Sequence, residues 1–490
     1  MHKLIELLTT DKEKITNTKA IVTPRFSITN EEFHDRISKI AGKLSEIGIQ
    51  KNDLTGILSE NNYDTIELIF ALWRIGAVPF LLNTRLTCRE INGYLDFAKP
   101  KLLFIHSDIR AGKSNIHFTV NFYPFDLSNE YYPQNRIESN KENIAVVLFT
   151  SGSTRKPKAV ALTFNNIISS ATNGNELFHH RKGDKWLASL PFYHIGGFSI
   201  LVRASLFGCT IVIPEKLTTN AIKEAIDNYS PTHISLVTTQ LKRLLEINAI
   251  PNKELRMTLL GGGFLESSLI KKSLIKGWHP VKSYGSTETA SFVTALKNHD
   301  YYFAEESAGK PLSNIEILIV DKNKNPLQPM KSGEIVIKSE SIAKYYLNNP
   351  EETSLKFSDG VYYSGDYGYL DEKGYLYIEV RREDLIISGG ENINPLEVER
   401  EIRKFDNIEE VCVLGEDNKE WGQLVIAAIV TKNRNTFSLE VLRDFLNNKL
   451  ASYKHPRKIY FMSKLPRTEL GKVQKDILSH LIEVNDSLKY

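Results

Sequence analysis

The sequence of 490 residues predicts an α/β fold, with a large N-terminal domain and a small α+β domain at the C-terminal end. A chain of this length exceeds what one hydrophobic core usually organises, so two or more domains are expected. Over most of the chain, short apolar runs that are typical of buried strands alternate with stretches whose apolar residues recur at helical spacing. This alternation is typical of a layered α/β architecture.

The predicted elements of the N-terminal part follow one another in a regular order. Helices are predicted at 33–47 and 65–75, and strands at 54–58, 78–82, 101–105, 144–149, 210–213, 233–237 and 257–260. The later strands are each expected to lead through a polar or glycine turn into a helix. From about residue 313 the predicted strands 315–320, 333–338 and 375–380 lie close together, which indicates a β-rich subdomain.

Four charged residues between two apolar strands mark the predicted domain boundary: Arg381, Arg382, Glu383 and Asp384. We predict an N-terminal domain over 1–380, a connecting segment at 381–384 and a C-terminal domain over 385–490. The last part combines predicted helices at 395–404 and 439–450 with predicted strands at 410–414 and 424–431. About a hundred residues are enough for a small α+β domain.

Composition excludes several classes of protein. The 62 Lys and Arg residues against 59 Asp and Glu residues give a net charge of +3, too small to predict binding to nucleic acid or membranes by bulk attraction. No apolar run reaches the roughly 18 residues of a membrane span, and the first residues lack a signal-peptide pattern. We therefore expect a cytoplasmic protein. Cys88, Cys209 and Cys412 lack the spacing of zinc ligands or disulfides and are expected to be core thiols.

The segment 150–158, Thr-Ser-Gly-Ser-Thr-Arg-Lys-Pro-Lys, directly follows the predicted strand 144–149. Hydroxyl groups, glycine amides and lysine side chains can together donate hydrogen bonds to phosphoryl oxygens and neutralise their charge. The segment lacks the Gly-Lys-Ser/Thr ending of the nucleoside-triphosphatase P-loop. A polar surface turn is the simpler alternative. The candidate phosphate ligands are Thr150, Ser151, Gly152, Ser153, Thr154 and Lys158.

This segment resembles the phosphate loop of the adenylate-forming enzymes, the family of acyl-CoA synthetases, luciferases and peptide-synthetase adenylation domains. Further segments resemble the other motifs of this family, in the expected order and over essentially the whole chain: 261–265, 284–288, 364–366, Arg381 and 466–472. The resemblance implies an adenylate-forming N-terminal domain and a small mobile C-terminal domain.

The resemblance also implies which residues bind ATP and Mg²⁺. Gly261, Gly262 and Gly263 would lie against adenine, Tyr284 would stack on it, Thr287 would contact phosphate, Glu288 would bind Mg²⁺, and Asp366 and Arg381 would reach the ribose. A carboxylate is a hard oxygen ligand, which suits that ion. Lys472 would support the adenylation step. Taken singly, each charged residue could instead be a solvated surface group.

A carboxylate is a poor acylating agent, so the family first joins the acid to AMP and then transfers the acyl group to a thiol. For this chain the resemblance implies ATP, Mg²⁺ and coenzyme A, with Lys472, Glu288 and the loop hydroxyls stabilising phosphoryl charge. It also implies a hinge at 381–384 with Glu383 as the hinge residue. Ser388, Gly389 and Gly390 would form the loop for the coenzyme A step.

Three positions depart from the family pattern. Arg155 stands where the phosphate loop usually has glycine, Val380 where glycine is common, and Glu383 where aspartate or lysine is usual. The departure at Arg155 affects the expected shape of the loop tip. The other two departures make the hinge assignment less specific but remove no catalytic group.

The segment 190–203 resembles the helix at the entrance of the family's acyl pocket, with His194 beside the acyl carboxylate. Together with 82–87 and 288–294, it resembles the subgroup that joins o-succinylbenzoate to coenzyme A in menaquinone biosynthesis. Such an aromatic dicarboxylate requires an apolar cleft with a cation or hydroxyls for the carboxylate that does not react. The candidate pocket residues are His194, Gly197, Ser199, Arg203 and Ser291. Arg203 could instead be an ordinary helix surface residue.

Three alternatives stay open at the level of sequence. One is an aryl- or medium-chain acyl-CoA synthetase, whose pocket needs no partner for a second carboxylate. Another is an enzyme that loads the phosphopantetheine of a carrier protein, although no carrier module is attached. The third is a regulatory nucleotide-binding protein, which the presence of Lys472, Glu288 and Asp366 disfavours. The resemblance further implies a homodimer.

Overall fold

The computed structural model describes residues 18–109, 115–127, 140–150, 158–261, 267–380, 386–406, 408–431, 437–466 and 473–487. These residues form two compact units. The larger unit contains the described residues of 18–84, 95–150 and 158–380, and the smaller contains 85–94 and the described residues from 386 onward. The predicted α/β class is confirmed.

The first sheet of the larger unit has seven strands among the described residues. Its spatial order is Tyr345–Tyr346, Lys158–Thr163, Ile144–Thr150, Val78–Leu82, Leu54–Leu58, Leu102–His106 and Val120–Tyr123. The strand Lys158–Thr163 is antiparallel to both of its neighbours, and the remaining pairs are parallel. Val78–Leu82 is apolar and buried at every residue, as expected of a parallel strand where both faces of a sheet are covered.

The second sheet of the larger unit has nine strands in the described part of the chain. Its order is Lys310–Pro311, Ser291–Leu296, Pro280–Ser286, Met257–Gly261, His233–Val237, Lys185–Leu187, Thr210–Val212, Lys19–Val22 and Ser27–Thr29. From Pro280–Ser286 to Lys19–Val22 all pairs are parallel. The carboxyl ends of these strands therefore lie at one edge, where ligands of open α/β sheets usually bind.

The predicted β-rich subdomain is an antiparallel sheet. It contains Glu316–Val320, Gly333–Lys338, Val361–Leu370, Phe357–Ser358 and Leu376–Val380. Ser364, Gly365 and Asp366 form a β-bulge where the register with Gly333–Lys338 shifts, and Gly365 adopts a positive φ of 79°. Bulges of this kind change the direction of a side chain and are frequent at active sites.

The described helices of the larger unit cover the sheets. They are Asn30–Glu46, Tyr63–Arg74, Phe164–Asn173, Asn175–Phe178, Ile195–Phe207, Thr219–Tyr229, Thr238–Glu246, Ser267–Ile275, Tyr301–Ala304 and Pro350–Lys356, while Cys88–Ala98 is shared with the smaller unit. Local sequence sets several of their starts. Thr29 and Glu32 form a capping box before the first helix, and the Asn62 side chain caps the second. No helix in the described ranges is long and apolar enough to cross a membrane.

The smaller unit is an α+β unit with helices on both faces of its sheet. Its strands are Glu391–Ile393, Ile386–Ser388, Gly422–Thr431, Ile408–Asn418 and Lys458–Phe461, and its helices are Pro395–Ile402, Leu439–Leu446 and Lys475–Ser487. Val411 and Val413 pack in one core cluster with helix residues such as Val398. Cys412 and Leu414 pack in a second cluster with Leu478. This alternation is the period of two that a strand covered on both faces requires.

Four sequence predictions are corrected by the structure. The strand Ile144–Thr150 leads into an antiparallel strand, Lys158–Thr163, and not into a helix. The segment 190–203 is helical only from Ile195, so Leu190 to His194 precede the helix. The predicted helix 439–450 ends at Leu446, because Asn447 leaves the helical conformation with a ψ of 137°. Cys209 and Cys412 are buried as expected, but Cys88 is only partly buried.

Candidate active site

Of the residues that the sequence assigns to adenine, the structure describes Gly261 and Tyr284, which lie on two adjacent parallel strands. Met257–Gly261 pairs with Pro280–Ser286, so Gly261 ends one strand close to Tyr284 on the other. The Ser283 hydroxyl donates a hydrogen bond of 2.8 Å to the Leu260 carbonyl and ties the two strand ends together. A Cβ atom at Gly261 would lie 3.1 Å from Ser283 Oγ, so a larger residue would crowd this edge.

Tyr284 and Asp366 come from different sheets and meet directly. The Tyr284 Oη atom donates a hydrogen bond of 2.7 Å to Asp366 Oδ2. The bulge around Gly365 directs Asp366 toward this tyrosine, and the Asp366 amide is held by Ser364 Oγ at 3.0 Å. The structure therefore brings together the side chains predicted to bind adenine and ribose, which are 82 residues apart in sequence.

Thr287 and Glu288 lie in a single 3₁₀ turn between the strands Pro280–Ser286 and Ser291–Leu296. Thr287 is half-buried, and in the described part of the chain its hydroxyl has no hydrogen-bond partner. The turn is tight: Ala290 has a φ of 54° and Ser291 a φ of 128°, conformations that L-residues rarely adopt. A Cβ atom at Gly285 would lie 2.0 Å from the Ser291 carbonyl oxygen, so only glycine permits this approach.

The Glu288 carboxylate fits a magnesium site that is completed by nucleotide phosphates. The residue is only 1% exposed, and its Oε1 atom accepts a hydrogen bond of 2.8 Å from Tyr346 Oη. Among the described residues no group of three or more His, Cys, Asp or Glu could hold a metal by itself. Mg²⁺ usually takes only one or two carboxylates together with substrate phosphates and water, so one buried carboxylate matches this ion.

Lys158 is not an open phosphate ligand in this structure. Its side chain is buried and forms an ion pair with Glu352, and its Nζ atom lies 5.5 Å from the centroid of the Tyr346 ring. Glu352 neutralises the charge that was predicted to face phosphate. Thr150, the other described residue of the predicted loop, donates a weak hydrogen bond of 3.5 Å to the Lys158 carbonyl.

Arg203 lies in the protein interior and not on a helix surface. It is 0% exposed, and one guanidinium nitrogen, Nη2, donates a hydrogen bond of 2.9 Å to Ser291 Oγ. Its Nε and Nη1 atoms are buried and have no hydrogen-bond partner within the described ranges. Three aromatic rings surround the guanidinium carbon, with centroids at 5.0 Å for Phe292, 5.2 Å for Phe178 and 5.6 Å for Trp186.

This environment makes the charge of Arg203 costly. Burial lowers the pKa of Arg203 to about 9 from its ordinary value of 12.5. The pKa of Arg203 is thus lower in the folded protein than in the unfolded chain. The charged form of Arg203 therefore reduces the free energy of unfolding at neutral pH. Cation–π contacts with the aromatic rings offset part of this cost, but the N–H groups of Nε and Nη1 have no hydrogen-bond partner among the described residues. An anionic ligand would satisfy them.

The other predicted pocket residues lie at the start of the helix Ile195–Phe207, which we call the pocket helix. His194 immediately precedes it, is half-buried and contacts the Tyr193 ring edge-to-face. A Cβ atom at Gly197 would lie 2.0 Å from the Pro191 carbonyl oxygen, so glycine lets the helix press against the preceding segment. The Ser199 hydroxyl donates to the Gly196 carbonyl at 3.1 Å, inside the helix.

In the smaller unit, Ser388, Gly389 and Gly390 form the tip of the hairpin between Ile386–Ser388 and Glu391–Ile393. Gly389 and Gly390 have φ values of 60° and 86°, as a two-residue hairpin turn with both residues left-handed requires. A Cβ atom at Gly389 would lie 2.9 Å from the Trp421 ring. The predicted residues Ser151, Gly152, Ser153, Thr154, Arg155, Gly262, Gly263, Arg381, Glu383 and Lys472 lie outside the described residues.

Sequence reasoning missed two polar residues of the site. Asn61 binds the segment before the pocket helix, donating to the Leu190 carbonyl at 2.7 Å and accepting from the Phe192 amide at 2.9 Å. Its position just after the strand Leu54–Leu58, at the carboxyl end of a parallel sheet, was a usable signal. Tyr346, the partner of Glu288, had no such signal, since it lies in a short strand 58 residues away.

Family models match most of the chain. Residues 9–347 match the model described as AMP-binding enzyme, and residues 397–472 match the model described as AMP-binding enzyme C-terminal domain. A 2-succinylbenzoate–CoA ligase of Listeria monocytogenes serotype 4b (strain F2365) is 35% identical over 457 residues. The aligned region covers 92% of this chain and 93% of that protein.

Solved structures of a Bacillus subtilis enzyme, o-succinylbenzoate CoA synthetase (MenE), are similar over nearly the whole length. A double mutant bound with the product analogue OSB-NCoA has a TM-score of 0.89 at 30% identity, with 97% of each chain covered. The complex with ATP and magnesium ion has a TM-score of 0.72 at 30% identity, covering 97% of this chain and 98% of that chain.

Proposed function

Because the chain belongs to the AMP-binding enzyme family, we propose that it is an ATP-dependent acid–thiol ligase that converts 2-succinylbenzoate to 2-succinylbenzoyl-CoA. The proposal includes the role that the sequence suggested in menaquinone biosynthesis. One observation carries the choice of acid: the buried Arg203 guanidinium lies among three aromatic rings, and its Nε and Nη1 atoms have no hydrogen-bond partner among the described residues. A monocarboxylic acid would leave this cation without a counterion.

We assign the two ends of the acid to different groups. The aromatic ring of the substrate would pack against Phe292 and its neighbours, while its unreactive carboxylate would accept hydrogen bonds from Arg203 and Ser291. His194, at the start of the pocket helix, would lie beside the reacting carboxylate, as the family resemblance implies. The strained backbone at Ser291 supports the role proposed for Ser291 in binding the unreactive carboxylate, because strain of this kind is common where a side chain must be held for function.

The nucleotide would occupy the carboxyl edge of the nine-stranded sheet. We propose that Tyr284 stacks on adenine, that Asp366 accepts hydrogen bonds from the ribose hydroxyls, and that Thr287 donates to a phosphate oxygen. Phosphate oxygens and Glu288 would hold Mg²⁺, which supplies positive charge to the phosphates. The hydrogen bond of 2.7 Å between Tyr284 and Asp366 supports this arrangement, since it orients both groups before the nucleotide arrives.

The reaction then follows from charge and leaving groups. A carboxylate oxygen of the acid attacks the α-phosphorus of ATP, forming an acyl adenylate, and pyrophosphate leaves. The thiol sulfur of coenzyme A next attacks the acyl carbon, AMP leaves, and the thiol proton is released. The first step builds negative charge on phosphoryl oxygens, which Lys472 and the loop 150–154 would stabilise by fixed electrostatics. We also propose a homodimer and a cytoplasmic location.

Product analysis tests the proposed function. With 2-succinylbenzoate, ATP, Mg²⁺ and coenzyme A, the purified protein should form AMP, pyrophosphate and a coenzyme A thioester in equal amounts. When coenzyme A is omitted, mass spectrometry should detect the acyl adenylate. Formation of ADP and phosphate, or transfer only to a carrier-protein phosphopantetheine, would contradict the proposal.

A further inference from the structure

We propose that Tyr346 is a positioning residue, which holds the Glu288 carboxylate in the orientation that binds the magnesium–ATP complex. The inference rests on the proposed function, because it requires Glu288 to be the magnesium ligand. Tyr346 would not touch the metal or the nucleotide. It would act through the hydrogen bond from its hydroxyl group to Glu288 Oε1, which is 2.8 Å long and buried.

The first argument is the chemistry of this hydrogen bond. A carboxylate has two oxygens and about four lone-pair directions, and the hydrogen bond from Tyr346 uses one of these directions. The bond fixes the rotation of the carboxylate plane and lets Oε1 share its charge with a neutral donor. Metal-binding carboxylates are commonly held by such hydrogen bonds, and removal of such a partner typically lowers metal affinity about 10- to 100-fold.

The second argument is that Tyr346 is itself held in place by backbone contacts. Its strand, Tyr345–Tyr346, pairs with the strand Lys158–Thr163, and Tyr346 stands opposite Val160. The Tyr346 amide donates a hydrogen bond of 3.0 Å to Thr353 Oγ1. Tyr346 is 1% exposed, so its hydroxyl has little freedom to leave Glu288 for water.

The third argument is that the same segment also binds the backbone of Glu288. The Ala343 amide donates a hydrogen bond of 2.7 Å to the Glu288 carbonyl oxygen. Residues 343–346 thus contact Glu288 at both its backbone and its side chain, and they connect it to the strand that begins at Lys158. The Lys158 ammonium group lies beside the Tyr346 ring and is neutralised by Glu352, so it adds no unpaired positive charge near Glu288.

Tyr346→Phe tests the inference, because it removes one oxygen atom and keeps the ring. ATP binding should be measured by calorimetric titration over a series of Mg²⁺ concentrations, without acid or coenzyme A, so that no turnover is needed. We define the magnesium midpoint as the Mg²⁺ concentration that gives half of the magnesium-dependent gain in ATP affinity. In Tyr346→Phe this midpoint should rise about 10-fold. ATP affinity without Mg²⁺ and the thermal unfolding midpoint should change little.

Three control variants make the result specific. Tyr345→Phe removes a hydroxyl from the adjacent residue of the same strand and should leave the magnesium midpoint unchanged. Glu288→Gln should raise the midpoint by itself. In the double variant, Tyr346→Phe should add nothing to Glu288→Gln, because a residue that acts only through Glu288 loses its effect when the carboxylate is gone.

The outcomes separate this inference from the proposed function. A shift with Glu288→Gln and none with Tyr346→Phe would overturn the inference and leave the ligase proposal intact. Equal shifts with both tyrosine variants, or additive shifts in the double variant, would assign Tyr346 a general structural role and also overturn it. An unchanged midpoint in Glu288→Gln would remove Glu288 from the magnesium site, and the inference would fall with that assignment.

Discussion

Replacing Arg203 with methionine should lower kcat/KM for 2-succinylbenzoate by about 100-fold or more. Loss of one partner from a buried, hydrogen-bonded charge pair costs roughly 2 to 5 kcal/mol, and each 1.4 kcal/mol corresponds to tenfold. Methionine keeps an unbranched side chain that can fill part of the space between Phe178, Trp186 and Phe292. Because the charge of Arg203 is costly in the folded protein, this variant should be at least as stable as the original.

Two analogues, each lacking one carboxylate, make the matched control for this prediction. They are 4-oxo-4-phenylbutanoate and 2-butanoylbenzoate. One of the two analogues keeps the carboxylate that reacts. The original protein should use this analogue less well than 2-succinylbenzoate. Arg203→Met should use it almost as well as the original protein does. If Arg203→Met impaired this analogue and 2-succinylbenzoate to the same extent, Arg203 would not recognise the second carboxylate.

Replacing Lys472 with alanine should nearly abolish formation of the acyl adenylate while sparing transfer from supplied acyl adenylate to coenzyme A. A single cationic or hydrogen-bonding group that stabilises transition-state charge is worth about 10²- to 10³-fold in rate. The second step expels AMP from carbon and does not build charge at the α-phosphorus to the same degree. The two half-reactions should be measured separately, as acid-dependent pyrophosphate exchange and as thioester formation from synthetic adenylate.

Lys464→Ala is the matched control for Lys472→Ala. Lys464 is an exposed lysine of the same C-terminal segment, and in the described part of the chain it forms no ion pair. Its replacement should leave both half-reactions unchanged. Equal losses in the two half-reactions of Lys472→Ala would show a general effect on the protein and would contradict the role proposed for Lys472.

The sequence was sufficient to predict the layered fold because the strands are distinctly apolar. The strands Leu54–Leu58, Val78–Leu82, His233–Val237 and Gly333–Lys338 have the predicted bounds, since polar turns and glycines delimit them. The direction of Lys158–Thr163 was not predictable in the same way. A loop of hydroxyl, glycine and proline residues indicates a turn, but it does not decide whether the next element is a helix or an antiparallel strand.

The candidate site was less predictable because it depends on contacts between distant residues. The motif resemblance named Tyr284, Asp366 and Glu288, but no spacing rule predicts that Tyr284 binds Asp366 or that Tyr346 binds Glu288. The burial of Arg203 could not be predicted from the sequence either. The pocket helix is apolar around most of its circumference, so it has no clear polar face from which the position of a charged residue could be inferred.

The most direct test of the central claim is the acid specificity of the purified protein. AMP release that depends on ATP and coenzyme A should be measured across a panel of 2-succinylbenzoate, benzoate, medium-chain fatty acids and amino acids. We predict that kcat/KM for 2-succinylbenzoate exceeds that of every monocarboxylic acid by about 100-fold or more, because only a dicarboxylate satisfies the buried Arg203. Equal or greater activity with a monocarboxylic acid would contradict the account.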